Sequence, residues 1–348
     1  MHGGDIYRNK IKYDFSVNVN PLGIPDRVKE AYIDSLNELV NYPDLECEML
    51  KKALAKSLNL QEEQIVCTNG ASELIHILCQ YLQPKKTLFI TPGFSGYEKA
   101  LQPVKSKIEY FALEEKEDFL FTESKKKQFL QEINKSKPEL IFITNPNNPN
   151  GGNMEINNLK AILDLCGQVG TFVCVDECFE PLSNKTQSII PMLSKYPNAM
   201  CLRAFTKSFA MPGVRLGYGV FGDEKMSKAL SGFLPEWNVS VIAQRMGLAA
   251  LHEMEYLNQA KGIIEKECVY LSKELEKLGM KVYPTTANYV LFFYKGPKDL
   301  HEALKEDGIL IRDCSDYRGL KKGFYRIAIK EHEKNVYLVD KLSQICEL

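Results

Sequence analysis

The sequence predicts an α/β protein: a mainly parallel sheet covered by helices, with a smaller α+β unit attached. Two patterns predict the fold. Between about residues 65 and 280, short apolar runs alternate with helical segments, as parallel strands alternate with their crossovers. Beyond about 281, strand-like runs crowd together with only two helices. A third observation is chemical. Each apolar run of the larger unit is followed by a polar cluster, and ligands in such sheets sit beyond the carboxyl ends of the strands.

In order, residues 1–45 read as an arm and part of the smaller unit, 46–280 as the larger unit, and 281–348 as the rest of the smaller one. In the arm, Tyr13 to Asn20 and the Pro-Leu-Gly-Ile-Pro after it mark extended chain and a turn. Pro25 precedes a helix predicted from Asp26 to about Leu39. Asn41-Tyr42-Pro43-Asp44 ends it, and a second helix spans about Leu45 to Leu58. Strands of the larger unit are predicted at Ile65–Thr68, Thr87–Thr91, Leu140–Thr144, Thr171–Asp176, Met200–Arg203 and Leu216–Phe221. A long helix between about 240 and 277 links the units. The smaller unit should carry strands at Lys281–Tyr283, Asn288–Tyr294, Ile309–Arg312 and Phe324–Ile329, with helices near 298–306 and 331–345.

Composition narrows the function by exclusion. A chain of 348 residues can bury roughly three quarters of its unfolded surface, so a large core is available. A net charge of -1 without a basic block gives no reason to expect nucleic acid or an anionic membrane as partner. No 18-residue apolar run appears, and the first residues lack a signal-peptide core. The ten cysteines form no C-x-x-C pair and the five histidines no metal pattern, so reduced thiols, a cytoplasmic location and no metal are expected.

Five clusters carry the chemistry. Asn69-Gly70-Ala71-Ser72 opens an apolar helix, where backbone N–H groups and a hydroxyl suit a phosphate; an ordinary capping turn would use the same residues. Pro92-Gly93-Phe94 offers an aromatic that could stack on a planar ring or serve packing. In Asn145-Pro146-Asn147-Asn148-Pro149-Asn150-Gly151, two prolines stiffen a polar loop and present Asn148. Asp176 ends a strongly apolar strand, and a buried carboxylate needs a cation or a set of donors. The segment AFTKSFAMPGVRLG supplies Lys207, flanked by the hydroxyls of Thr206 and Ser208, and then Arg215. A free lysine, with a pKa of roughly 10.4, is a poor nucleophile at neutral pH, but in a pocket it forms imines with carbonyls. Near the C-terminus, Arg312 and Arg326 lie at or within apolar strands; paired guanidiniums suit a substrate with two anions, or two structural salt bridges.

Taken together, these segments resemble the aspartate-aminotransferase superfamily of pyridoxal-phosphate (PLP) enzymes. The Asn145–Gly151 run resembles its Asn-Pro-x-Asn-Pro-Thr-Gly, with Asn150 where threonine is usual. The resemblance implies a seven-stranded large domain and PLP on Lys207. It places Asp176 at the pyridine nitrogen, Asn148 at the phenolate oxygen, and Gly70, Ala71, Ser72, Thr206, Ser208 and Arg215 around the cofactor phosphate. Phe179 falls where many aminotransferases carry a tyrosine.

Over nearly the whole chain, the closer likeness is to the threonine-phosphate decarboxylases of cobalamin synthesis, relatives of histidinol-phosphate aminotransferases. His2-Gly3-Gly4, Asp14 to Gly23, Tyr42-Pro43-Asp44, Asp176-Glu177-Cys178-Phe179 and Arg312 to Leu320 carry it. It implies that His2 helps bind a substrate phosphate and that Arg326 grips the α-carboxylate. Asn20, Asn288 and Arg312 would complete the substrate site. Tyr42 would reach the cofactor phosphate of a neighbouring subunit, which implies a homodimer. The expected reaction is decarboxylation of L-threonine O-3-phosphate; transamination of histidinol phosphate or a similar amino acid is the alternative.

Overall fold

A computed structural model describes residues 3–347; His2 lies outside them. The arm carries β1 (Tyr13–Asp14) and leads to α1 (Asp26–Ser35) and α2 (Glu48–Leu58). α1 starts directly after Pro25 and tightens into a 3-10 turn at Leu36–Glu38, so it stops short of Leu39. The sheet region then runs β2 (Ile65–Thr68), α3 (Ala71–Leu82), β3 (Lys86–Thr91), α4 (Gly96–Leu101), β4 (Lys107–Ala112), α5 (Glu123–Ser136) and β5 (Leu140–Thr144). It continues with α6 (Ile156–Val169), β6 (Phe172–Asp176), β7 (Ala199–Ala204), the single turn α7 (Phe205–Ser208), β8 (Gly217–Phe221) and α8 (Glu224–Ser231).

The seven strands lie in the order β2-β8-β7-β6-β5-β3-β4. β8 alone runs antiparallel to both of its neighbours. β4 is the strand that sequence patterning did not predict. It is an edge strand paired to β3, and its Lys107-Ile-Glu-Tyr-Phe-Ala lacks the continuous apolar run of strands buried on both faces.

Successive side chains of a strand point to opposite faces, and the core divides accordingly. Val66, Phe142, Cys174 and Met200 pack with Leu74 and Leu78 of α3. Cys67, Ile141, Ile143, Val173 and Val175 pack on the other face with Phe129 of α5 and Leu159 and Leu163 of α6.

The expected long helix is two helices, α9 (Val241–Ala250) and α10 (Met254–Lys277). No glycine or proline breaks it. Tight bonds from His252 N to Ala249 O and from Glu253 N to Ala250 O turn the chain instead. α9 can then pack on α1 while α10 crosses to the C-terminal helix.

The smaller sheet follows: β9 (Lys281–Val282), β10 (Tyr289–Phe293), α11 (Leu300–Glu306), β11 (Ile309–Leu310), β12 (Arg312–Asp313), β13 (Phe324–Ala328) and α12 (His332–Glu347). The single strand expected over Ile309–Arg312 is divided. β11 pairs in parallel with β1 of the arm, whereas β12 joins the antiparallel sheet β12-β13-β10-β9. The arm therefore belongs to the C-terminal sheet as much as to its own end of the chain.

Gly217 opens β8 at the start of α3, where a Cβ would sit 2.4 Å from Ala71 N and 2.7 Å from Gly70 C. Gly217→Ala should therefore push α3 off the sheet and cost about 1–3 kcal/mol, read as a lower denaturant midpoint; an unchanged midpoint would show that the contact is soft.

Candidate active site

Strands β2, β3, β5, β6 and β7 run parallel, so their carboxyl ends share one edge of the sheet, and the antiparallel β8 begins there. That edge holds a cavity of about 280 Å³. Ala71, Ser72, Phe94, Asn148, Asp176, Phe179, Thr206, Lys207 and Arg215 line it from the larger sheet. Arg312 and Arg326 of the smaller sheet and Ser16 and Asn18 of the arm close the other side.

At one end, α3 presents its N-terminus without a side-chain cap, because Gly70 precedes it at φ 76°. The first N–H groups of a helix are unpaired and carry its positive dipole end, which suits an anion. Arg215 adopts a left-handed φ of 61°, a conformation that a non-glycine residue holds only under constraint. It brings the guanidinium against Gly70, where a Cβ would lie 2.4 Å from Nη2. Thr206 lines the same region. Ser208 does not: its hydroxyl donates to Ala204 O at 3.3 Å and it lines a separate cavity behind the site.

Lys207 is half-buried, its amine turned into the cavity, and loss of water around it first, then the nearby Arg326, lowers the amine to about 8. Its Nζ stands 5.8 Å from the centroid of the Phe179 ring, which packs edge-on against Tyr289. Asp176 lies at the end of β6 with no cation paired to it among the described residues. Burial raises its pKa, against donors that favour the charged form: Cys178 N–H to Oδ1 at 3.0 Å and Tyr97 O–H to Oδ2 at 2.8 Å. Asn148 accepts at Oδ1 from Arg326 and, at 3.3 Å, from Tyr317 O–H, so its NH₂ group is the part left for a ligand.

Arg326 is buried and bonded to neutral groups: Asn148, Ser16 O at 2.9 Å, and Asn18, whose amide oxygen accepts at 3.2 and 3.3 Å once turned toward it. Arg312 is paired with Asp316 through bonds of 2.7 and 3.0 Å. Asn20 and Asn288 stand behind the cavity wall. Asn20 donates to Ser208 O at 2.8 Å and its N–H to Lys207 O at 2.9 Å, tying the arm to the lysine turn. Asn288 donates to Val19 O at 3.2 Å. Tyr42 is outside this cavity: it is 78% exposed and packs on Trp237 at 4.5 Å.

Several contacts escape sequence reasoning. Tyr97 and Asp176 are 79 positions apart, and Asn148 and Arg326 are 178 apart. Beneath the site, Glu177 is fully buried and accepts from Arg203 at 2.7 Å, Ser188 Oγ at 2.6 Å and Ile189 N at 2.7 Å. The adjacent Asp-Glu pair signalled acid at this strand end, but only the fold separates an acid facing the cavity from one facing Arg203.

PLP fits this donor set. A phosphate would meet the α3 N-terminus, Ser72, Thr206 and Arg215; a pyridinium would find an unpaired buried carboxylate in Asp176; an aldehyde would find a partly neutral amine in Lys207.

Comparisons with known proteins agree. Residues 10–342 match the family model of aminotransferase class I and II. Threonine-phosphate decarboxylase of Salmonella typhimurium is 32% identical over 334 residues, covering 95% of this chain and 90% of the relative. Histidinol-phosphate aminotransferase of Ruminiclostridium cellulolyticum is 30% identical over 343 residues, covering 97% and 93%. The crystal structure of the histidinol-phosphate aminotransferase from Clostridium acetobutylicum superposes with a TM-score of 0.87 at 28% identity, covering 96% of this chain and 99% of that one. The chain belongs to the class I and II aminotransferase family, and its cofactor is pyridoxal phosphate.

An amine lowered to about 8 is neutral in roughly a tenth of molecules at pH 7, against well under a thousandth for a free lysine. Capture of PLP by the cofactor-free protein, followed by visible absorbance, should therefore speed up with a midpoint at about 8. A midpoint near the free-lysine value of roughly 10.4 would contradict the burial, and Lys207→Ala should abolish the absorbing linkage.

Proposed function

We propose that this enzyme decarboxylates L-threonine O-3-phosphate to (R)-1-amino-2-propanol O-2-phosphate for cobalamin synthesis. The observation that carries the reading is the arginine pair. Arg312 and Arg326 are directly opposed across β12 and β13 and open on the same cavity as Lys207. Like charges opposite one another destabilise a sheet. Asp316 offsets Arg312, while Arg326 has only neutral partners among the described residues. Such a pair suits a substrate that brings a carboxylate and a phosphate together. Threonine phosphate carries both, whereas histidinol phosphate carries only the phosphate. Relatives named threonine-phosphate decarboxylase, and one named adenosylcobalamin biosynthesis bifunctional protein, lend further support.

When bound, PLP supplies an electron sink for the pair left behind when a bond to the substrate α-carbon breaks. The chain decides which bond that is. Arg326, held by Asn148, Asn18 and Ser16 O, would grip the substrate carboxylate and fix its direction in the cavity. With the carboxylate so held, loss of CO₂ would leave the α-carbon to be protonated, and the Lys207 ammonium at Nζ would supply that proton. Phe179 sets no hydroxyl beside that amine, which leaves Lys207 as the proton carrier on this wall.

A second reading is transamination of histidinol phosphate, favoured by the equally long match to histidinol-phosphate aminotransferase. Purified protein given threonine phosphate should release CO₂ without any 2-oxo acid, and Arg326→Lys should lose at least about 100-fold in kcat/KM, since a bidentate grip is lost. Glutamate formed from histidinol phosphate and 2-oxoglutarate, without CO₂ from threonine phosphate, would establish the second reading instead.

The proposed working form is a homodimer with shared sites. Ile33, Leu36, Leu39, Val40, Tyr42 and Met49, all from α1 to the start of α2, are exposed, and Tyr42 packs on the exposed Trp237. A patch of that kind marks an interface, and Tyr42 sits on it rather than in its own cavity. Tyr42→Ala and Lys207→Ala, each inactive alone, should regain up to about a quarter of wild-type activity when refolded together, since half of the mixed dimers' sites would be intact. No recovery would rule out shared sites.

A further inference from the structure

We propose that Tyr97, backed by Thr144, is the positioning residue that holds the Asp176 carboxylate turned toward the ring nitrogen of the coenzyme. The proposal rests on PLP occupying the cavity, and it concerns a residue on the far side of the acid. Tyr97 is not part of the coenzyme cavity; it lines the neighbouring one, with Phe94 and Thr144 in the wall common to both.

The geometry points one way. Tyr97 Oη lies 2.8 Å from Asp176 Oδ2 and 2.7 Å from Thr144 Oγ1. An ionised carboxylate only accepts, so the tyrosine proton goes to Asp176, and Thr144 must donate its own proton to Tyr97. The result is a directed chain, Thr144 to Tyr97 to Asp176, in which each donor polarises the next. Cys178 N–H binds the other carboxylate oxygen at 3.0 Å. With one donor on each oxygen, the carboxylate plane is fixed and cannot swing to suit a misplaced ring.

The tyrosine is itself immobile. Its ring stacks on Phe142 at 4.5 Å with an interplanar angle of 11°, and it meets Phe94 edge-on at 5.3 Å. Phe94 is one of the aromatics that line the coenzyme cavity, so Tyr97 braces both that ring and the acid. Burial, and then the charge of Asp176, keep the phenol protonated, so it remains a donor at any working pH. The other ionisable groups whose charge acts on this carboxylate or feels it are Glu177, Cys174, Cys178 and Tyr289. Burial holds the two thiols and Tyr289 protonated, and Glu177 is tied to Arg203, so the acid is bound by neutral donors alone, Tyr97 on one oxygen and Cys178 on the other.

The test uses the coenzyme-loaded protein. Tyr97→Phe removes one oxygen and keeps the stacked ring. A less firmly held proton on the ring nitrogen makes the nitrogen of the lysine linkage more basic. The pH midpoint of the visible absorption band should therefore rise by about one unit, and the coenzyme should bind about tenfold more weakly in equilibrium dialysis, the size expected for one bond to a charged group. Thr144→Val should move both readouts in the same direction by less. A Tyr97→Phe protein with the wild-type midpoint and affinity overturns the proposal while leaving the coenzyme assignment intact. A wild-type protein that takes up no coenzyme overturns both. Should Tyr97→Phe fail to fold, Thr144→Val decides: a shifted midpoint supports the chain of donors, and an unshifted one refutes it.

Discussion

A buried acid that lacks a fixed cation is the constraint on which this molecule is built. Asp176 ends a strand that is buried along its whole length, and no arginine or lysine among the described residues pairs with it. Leaving a carboxylate uncompensated in such a place is costly. The chain offsets part of that cost with two donors, and a cationic ring would offset the rest. Next door, Glu177 shows the opposite solution: a buried acid locked to Arg203 and to the Ser188–Ile189 turn. One residue step along the chain separates an acid that faces the cavity from one locked to an arginine.

The same tension appears with opposite sign in the basic groups. Arg326 is buried among neutral oxygens and lies close enough to Lys207 to lower its amine, so the cluster is short of negative charge. The anionic coenzyme phosphate would relieve this, as would an anionic substrate, since charges in a low-dielectric cleft interact far more strongly than in water.

The parallel sheet makes that cluster possible without any helix having to bend. Strands that run the same way end at the same edge, and the one reversed strand, β8, delivers Arg215 to that edge from its beginning. The arm closes the far side because β1 pairs with β11 and Asn20 is tied to the lysine turn. Residues from both ends of the chain thus meet over Lys207.

Alternating apolar runs and helices, with the polar clusters after each run, determined the fold class and put Lys207, Asp176, Asn148, Phe94 and Arg215 at strand ends, because each of these signals lies within a few residues of chain. β4 was illegible for the same reason: an edge strand buries less and shows no continuous apolar run. The break between α9 and α10 was hidden too, since no glycine or proline announces it. Only the tertiary structure decided which neighbours share the work. It turned Ser208 away from the cavity, set Asn20 and Asn288 behind its wall, and joined Tyr97 to Asp176 and Asn148 to Arg326. Those pairings depend on strand order and on the arm's return to the C-terminal sheet, which are properties of long-range packing and leave no local trace in the chain.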